Sequence, residues 1–551
     1  RRSSDLDNME VISLYNGQKS AIFQPAKDYS SASAIYMQTR KPLFKGEKKN
    51  NLNIGVKGGS FSTINPSLLW EHRFNERISS SISTEYMYTS GRYKFTYAKK
   101  DGYDTTAVRQ NGDVRMLRLE NAFFGKVPKG EWKAKAYLYN SERGYPGAAV
   151  REEPGKFRHQ DRQWDTNLFV QGSFQNYFKP WYSLLANGKY AYDYLHYLSD
   201  PRLDVTTMYV DNHYRQQEIY ASAAHLFTIY PWWRMSLSND FQWNALRADL
   251  IDFVYPTRNT ILTSAATSFD FNRLMLQASL LYTHVDDNTR TKGANAGTKN
   301  KYTPSVIATW QPLTKLPLNV RAFYKKVFRM PTLNDLYYTF IGNKDLKPEY
   351  TTQYDVGITF SHTWNNHWLK SLDLQIDGYY NEVDDKIIAM PTSNQFRWTM
   401  INLGHVEIRG LDAAIRGEWG FGKVELSTLF NYTYQKAQDF TDPTSEWYGG
   451  QIPYIPWHGG SIILNGSYQT WSCNYSFIYT GERYEAVANI PENYAQPWYT
   501  HDFSLSKTFQ WGKTGIRVTA EINNIFNQQY EVVQCYPMPG TSFKIKLNVM
   551  L

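Results

Sequence analysis

At 551 residues with a formal net charge of +9, the chain could build several soluble domains, yet no stretch reads as a linker between them. Mean hydropathy is −0.56, and no run approaches the roughly 18 apolar residues of a spanning helix, which excludes a helical membrane protein but not a membrane β-barrel. Two cysteines give no disulfide framework, and the basic residues are dispersed without an RNP, zinc-finger or basic-helix pattern, so no nucleic-acid partner is expected.

The chain opens on Arg1-Arg2-Ser3-Ser4 without a signal peptide and reads as a mature or truncated fragment. Residues 1–42 hold two short apolar pieces, Val11-Ile12-Ser13-Leu14-Tyr15 and Ala34-Ile35-Tyr36-Met37, with the polar stretch Asn16-Gly17-Gln18-Lys19-Ser20 between them. They predict the end of a small α/β piece. A basic connector, Arg40 to Asn50, leads into the rest.

From about residue 50 the sequence has period two, the strand signature. Leu372, Leu374 and Ile376 alternate with Asp373, Gln375 and Asp377. In the last two segments Ile516, Val518, Ala520 and Ile522, then Phe543, Ile545, Leu547, Val549 and Leu551, form the apolar face. A dry core would not accept those aspartates, whereas a water-lined lumen does. About twenty-two such segments, each of spanning length, predict an all-β fold: a 22-stranded antiparallel transmembrane β-barrel over 43–551. Short turns near 74–76, 128–130, 179–180, 230–231, 419–422 and 512–515 alternate with long loops near 90–113, 140–163, 285–301, 328–351, 436–456 and 480–498. Trp132, Trp181, Trp232, Trp233, Trp310, Trp364, Trp368, Trp419, Trp471 and Trp511 fall beside short turns, which predicts an aromatic belt at one interface. The aromatic share of 16% fits that reading.

Three stretches carry a family resemblance. Met9 to Ile12 with Asn16-Gly17 and Ser31 to Thr39 resembles the closing segment of the plug in TonB-dependent receptors. Phe328 to Tyr337, with Gly342 to Glu349, resembles the family's mid-barrel signature, and Glu521 to Tyr530 with Met538-Pro539-Gly540 its C-terminal one. The final Leu551 departs from the usual terminal aromatic. The resemblance implies that residues 1–42 are the C-terminal remnant of a plug domain. The plug's first half and the TonB box would precede residue 1. Leu14 to Ala26, Asp385 to Thr392 and Asn402 to Asp412 are most similar to the cobalamin (vitamin B12) receptors, BtuB type, within the family.

The function so implied is TonB-dependent active uptake of a scarce nutrient, cobalamin or a related corrinoid, across the outer membrane of a Gram-negative bacterium. Ferric siderophore or haem uptake in the same family, and a passive porin-like channel in another class, are the alternatives. Partners implied are the TonB-ExbB-ExbD complex, outer-membrane lipids and a small-molecule ligand, with a surface lipoprotein capping the loops left open. Tyr15, Asn16, Gln18 and Lys19 are the plug-apex candidates for ligand contact, since convergent polar groups in an aromatic cavity suit a polar-rimmed ligand. Packing of their own turn is the competing role. Loop candidates for stacking are Tyr337, Tyr338, Trp398, Trp447 and Tyr484, although for any one of them packing within its own loop is the favoured role, since loops this long must pack on themselves.

No catalytic residue, metal site or cofactor is expected: HExxH, GxSxG and Walker patterns are absent. His362 and His367 have no third ligand nearby. Asp286-Asp287 and Asp384-Asp385 read as solvated loop charge rather than calcium ligands.

Overall fold

A strand with lipid on one side and water on the other must present every second residue to each. Strand Trp233–Ala248 does so: Leu237 and Phe241 are 43% and 42% exposed, whereas Ser238 and Asp240 on the opposite face are 1% and 3% exposed. The computed structural model describes residues 9–17, 19–98, 104–149, 161–200, 209–291, 296–338, 342–365, 367–391 and 398–551. Among these, 22 antiparallel strands form one closed wall. The first, Asn50–Gly59, pairs with the last, Ser542–Met550, from Asn53 opposite Met550 to Gly59 opposite Lys544, leaving no open edge. In lipid an unpaired backbone N–H or C=O costs several kcal/mol, so only a closed sheet is tolerated.

The predicted short turns fall where expected, while strands reach into the predicted loops 140–163 and 285–301 as far as Tyr145 and Asn288, and residues 99–103, 150–160, 292–295 and 339–341 of the predicted loops lie outside the described residues. Arg73 and Ile78, Val127 and Gly130, Lys179 and Tyr182, Tyr230 and Trp233, Phe421 and Val424, and Trp511 and Thr514 bound the short connections. The tryptophans gather at that end. Trp232 stacks with Trp233, Phe269 and Phe271, Trp368 with Trp419 and Phe421, and Trp511 is 80% exposed. The apolar faces of the last two strands coincide: Ile516 lies opposite Val549, Val518 opposite Leu547, and Ile522 opposite Phe543.

Two expectations are corrected. The N-terminal piece is not α/β among the described residues: strands Met9–Asn16 and Ser33–Thr39 form an antiparallel hairpin, and the link between them carries only the 3-10 turn Ala26–Tyr29. Nor does the pair Asp286-Asp287 lie on a loop, and only Asp286 is solvated charge. Both lie on strand Leu274–Asn288, and Asp287 points inward, buried, accepting from Arg258 Nε at 2.6 Å and Nη2 at 2.7 Å. Strand geometry sends the two neighbours to opposite faces. Asp384 also lies on a strand, Leu369–Pro391, where it bonds His405.

The hairpin and its link sit within the lumen against one side of the wall. The 3-10 turn has no side-chain cap of its own, and a wall carboxylate supplies it: Asp240 accepts from Ala26 N at 3.0 Å and Lys27 N at 2.8 Å, while the Tyr220 hydroxyl donates to it at 2.7 Å. A negative charge there also suits the exposed N–H groups of the turn's first residues. Lys325, 1% exposed, donates to Ser31 O at 2.7 Å and Gly17 O at 3.3 Å. Ser238 donates to Gln24 O, Gln277 to Ser20 O and Gln353 to Ala32 O. Ile22, Ala26 and Tyr29 bury against Leu262, Ala266 and Leu281, which explains why apolar residues interrupt the polar inner face there. Small inward residues, including Ser236, Ser264 and Ser268, give the segment room. Gly17 has a φ of +89° and lies where a Cβ would come within 2.7 Å of the Phe323 ring, so a glycine is required on both grounds.

Ile545→Arg on the lipid face is expected to destabilise the barrel by about 2–4 kcal/mol, and Lys544→Arg on the inner face by less than about 1 kcal/mol; denaturant unfolding from lipid vesicles measures both. Asp240→Ala removes two charge-assisted bonds of about 1.5–3 kcal/mol each, so amide exchange over residues 22–29 should accelerate about a hundredfold or more. Asp240→Asn, which keeps an acceptor oxygen, should accelerate it less.

Candidate ligand cavity beside the N-terminal segment

The N-terminal segment meets the wall on the side described above. On its other side a cavity of about 790 Å³ lies between the hairpin and the inner face of five consecutive strands, Val114–Val127, Gly130–Tyr145, Asp161–Lys179, Tyr182–Ser199 and Val210–Tyr230. Its walls follow from the period-two pattern: residues such as Lys133, Lys135, Lys189, Glu218 and Tyr220 alternate with lipid-facing neighbours, among them Tyr190 and Ile219. The hairpin contributes Val11, Ser13, Tyr15, Tyr36 and Met37, and the link Lys19, Lys27 and Asp28. Six lysines face three carboxylates around the cavity, Lys41 with Glu131 at its short-turn end among them, so its field is positive.

The sequence candidates divide. Tyr15 lies on the first strand opposite Ala34, and its ring meets Tyr36 edge-on at 5.3 Å. Lys19 Nζ lies 3.1 Å from the Tyr36 ring centroid and 4.0 Å from an Asp28 oxygen. Tyr15 and Lys19 are thus brought together on the cavity wall through Tyr36, a residue not singled out in advance. Asn16 ends the strand with its backbone opposite Ser33, and Gln18 lies outside the described residues.

Electrostatics in this corner are governed by burial. Desolvation lowers the Lys19 ammonium below its usual range, partly opposed by the Asp28 charge. It raises the Asp28 carboxyl, against hydrogen bonding from Tyr36 and the attraction of Lys19. The Tyr36 hydroxyl is pushed up by burial and by the adjacent Asp28 carboxylate. The arrangement offers aromatic faces, hydroxyls and cations to a bound molecule. That is the pattern of a binding surface.

The loop candidates are placed elsewhere. Tyr337 ends the short helix Leu333–Tyr337, which Thr332 and Asp335 cap reciprocally. Tyr337 is buried in an apolar cluster with Tyr214, Leu246, Val254 and Leu346, and Tyr338 packs against Tyr214 with ring centroids 4.4 Å apart and planes tilted by 31°. Trp398 leans on Tyr454 at 6.1 Å, and Tyr484 meets Trp457 edge-on at 5.6 Å. Trp447 presents an exposed ring, at 37%. The cavity residues missed by sequence reasoning, Asp28, Tyr36, Glu218 and Tyr220, had one signal, their position on a polar strand face or in the link. Many residues share it, and only the seat of the segment selects among them.

Comparison with known proteins bears on this barrel. The family model described as TonB dependent receptor-like, beta-barrel, matches residues 47–525. The chain is 28% identical over 244 residues to the vitamin B12 transporter BtuB of Photobacterium profundum, a match covering 43% of this chain and 36% of that protein. It is 31% identical over 207 residues to the protein of the same name from Vibrio vulnificus, covering 37% and 29%. The matched region thus spans about a third of each of these relatives. Among solved structures, the FrpB iron transporter from Neisseria meningitidis (F5-1 variant) superposes with a TM-score of 0.75 over 99% of this chain and 89% of that one, at 12% identity, a likeness of fold alone. With the closed 22-stranded wall, the belt of tryptophans and the match over most of its length, the chain belongs to the TonB-dependent receptors and resides in the outer membrane of a Gram-negative bacterium.

Proposed function

We propose that this protein takes up cobalamin or a related corrinoid actively, and that residues 1–42 are the C-terminal part of a plug, residues 43–551 being the barrel through which the ligand passes. The observation that carries active uptake over a passive channel is the seating of the N-terminal segment. It is held in the lumen by Asp240, Lys325, Ser238, Gln277 and Gln353 together with an apolar patch. A porin-like channel has no use for wall residues that grip an obstruction. A gated transporter needs them, because the obstruction must stay until it is displaced. Displacement draws on TonB-ExbB-ExbD, engaged through plug residues preceding residue 1. No bond of the ligand breaks, so no catalytic group is assigned.

The corrinoid reading rests on the two relatives named as vitamin B12 transporters. It is supported by the chemistry of Tyr15 and Lys19 on the cavity wall, which suits a ligand with an amide periphery and a phosphodiester. Asn16 and Gln18 complete the proposed apex contacts. Of the loop aromatics, Trp447 is the one with an exposed ring for stacking, while Tyr337 is buried and Tyr338, Trp398 and Tyr484 pack against Tyr214, Tyr454 and Trp457. The excess of lysines around the cavity favours a second reading, an anionic ferric chelate.

Equilibrium binding to the detergent-solubilised protein carrying its complete plug tests this, with cyanocobalamin, a ferric siderophore and haem compared. Selective, saturable corrinoid binding is expected, weakened about tenfold or more, or about 1.4 kcal/mol, by Tyr15→Ala and by Lys19→Ala. Binding of a comparator without cyanocobalamin would retire the corrinoid assignment and leave the transporter reading in place.

A further inference from the structure

On the outer surface of the wall, where strands Tyr182–Ser199 and Val210–Tyr230 rise toward a long connection, the register sets His196 directly opposite His213. Asp211 lies two residues from His213 and therefore on the same face. That face is the outer one. Tyr190 and Ile219, on the same alternating positions of these two strands, are 40% and 44% exposed, whereas Asn212 and Tyr214 point inward and are buried. At about 3.3 Å per residue and a tilt near 40°, the strand climbs about 40 Å from residue 230 at the tryptophan belt to residue 213, beyond an apolar band about 25 Å tall. The group therefore faces the external medium.

We propose that His196, His213 and Asp211 bind one divalent transition-metal ion, and that Asp249 is the positioning residue for His213. One ligand atom from each of the three lies within 4.8 Å of the others. Asp249 accepts from the His213 backbone N–H at 2.8 Å and bonds Nδ1 at 2.5 Å. This assigns the ring proton to Nδ1 and leaves the Nε2 lone pair for a metal, the usual carboxylate–histidine–metal arrangement. His196 Nε2 and an Asp211 carboxylate oxygen are 2.7 Å apart. A metal bound to both displaces the shared proton to solvent and opens the pair by about half an ångström, since tetrahedral ligands at about 2.0–2.2 Å stand a little over 3 Å apart. The imidazoles are stacked at 4.0 Å with planes within 16°, and Trp164 stacks on His196 at 4.5 Å. Each imidazole lone pair lies in its ring plane, so binding one ion turns the two rings out of this parallel stack. Two imidazoles and one carboxylate select a zinc-like ion over calcium or magnesium. The bound ion joins two strands where they leave the membrane, on the wall's outer side and away from the lumen, so it is a structural ion and not cargo.

Zinc titration of the purified protein in detergent, by equilibrium dialysis, tests this. One saturable site per chain is expected, with affinity reduced about tenfold or more by His196→Gln and by His213→Gln, and about 10–100-fold by Asp249→Asn. A His362→Gln/His367→Gln double variant should bind as the parent does. X-ray absorption of the zinc-loaded parent, which needs no variant to fold, should count two imidazole nitrogens. Absence of a saturable site below about 1 mM, binding untouched by both histidine substitutions, or fewer than two imidazoles would overturn the proposal.

Discussion

Everything in this molecule depends on the demand that a backbone in hydrocarbon must hydrogen-bond to itself. A sheet meets it only by closing, and here closure joins the first and last barrel strands across nearly the whole sequence, with Ile54 opposite Val549 and Val56 opposite Leu547. Once the wall is closed, side-chain chemistry splits into two solvents. Phe543, Ile545 and Leu547 meet lipid, and the alternate residues enclose a wide lumen.

A lumen of that width is itself a constraint. The N-terminal segment meets it with contacts of two kinds: directional bonds from buried polar residues, and one apolar patch. The bonds run to backbone groups of the link, at Gly17, Ser20, Gln24, Ala26, Lys27, Ser31 and Ala32, more than to its side chains. Backbone groups stranded away from secondary structure need partners wherever water is excluded, and Asp240 and Lys325 meet that need with full charges. The grip is distributed over strands from Trp233–Ala248 to Glu349–Thr363, and the adjoining strands, Val114–Val127 to Val210–Tyr230, line the lysine-rich cavity.

Of the candidate site, Tyr15 and Lys19 were legible because the resemblance located them in the plug's closing segment, and the wall residues because polar strand positions face water. Their conjunction was not legible. Tyr36 joins them only because the hairpin register sets Leu14 opposite Ile35 and Tyr15 opposite Ala34, and the link folds back to lay Lys19 on its ring. Over the described part of residues 1–42 the α/β expectation failed for a similar reason. Short apolar pieces of that length fit helix or strand equally well, and pairing decided.

The sequence by itself determined the strands, their number, the alternation of short turns with long loops and the tryptophan belt, since each is imposed locally by a lipid-facing period of two and by turn chemistry. The tertiary structure alone decided which inward residues meet the N-terminal segment, that Asp287 is buried against Arg258, and that His196, Asp211 and His213 come together on the outer rim. Inside a barrel the polar face is underdetermined by sequence, because water accepts any polar residue there. Only register and the path of the chain choose the partner.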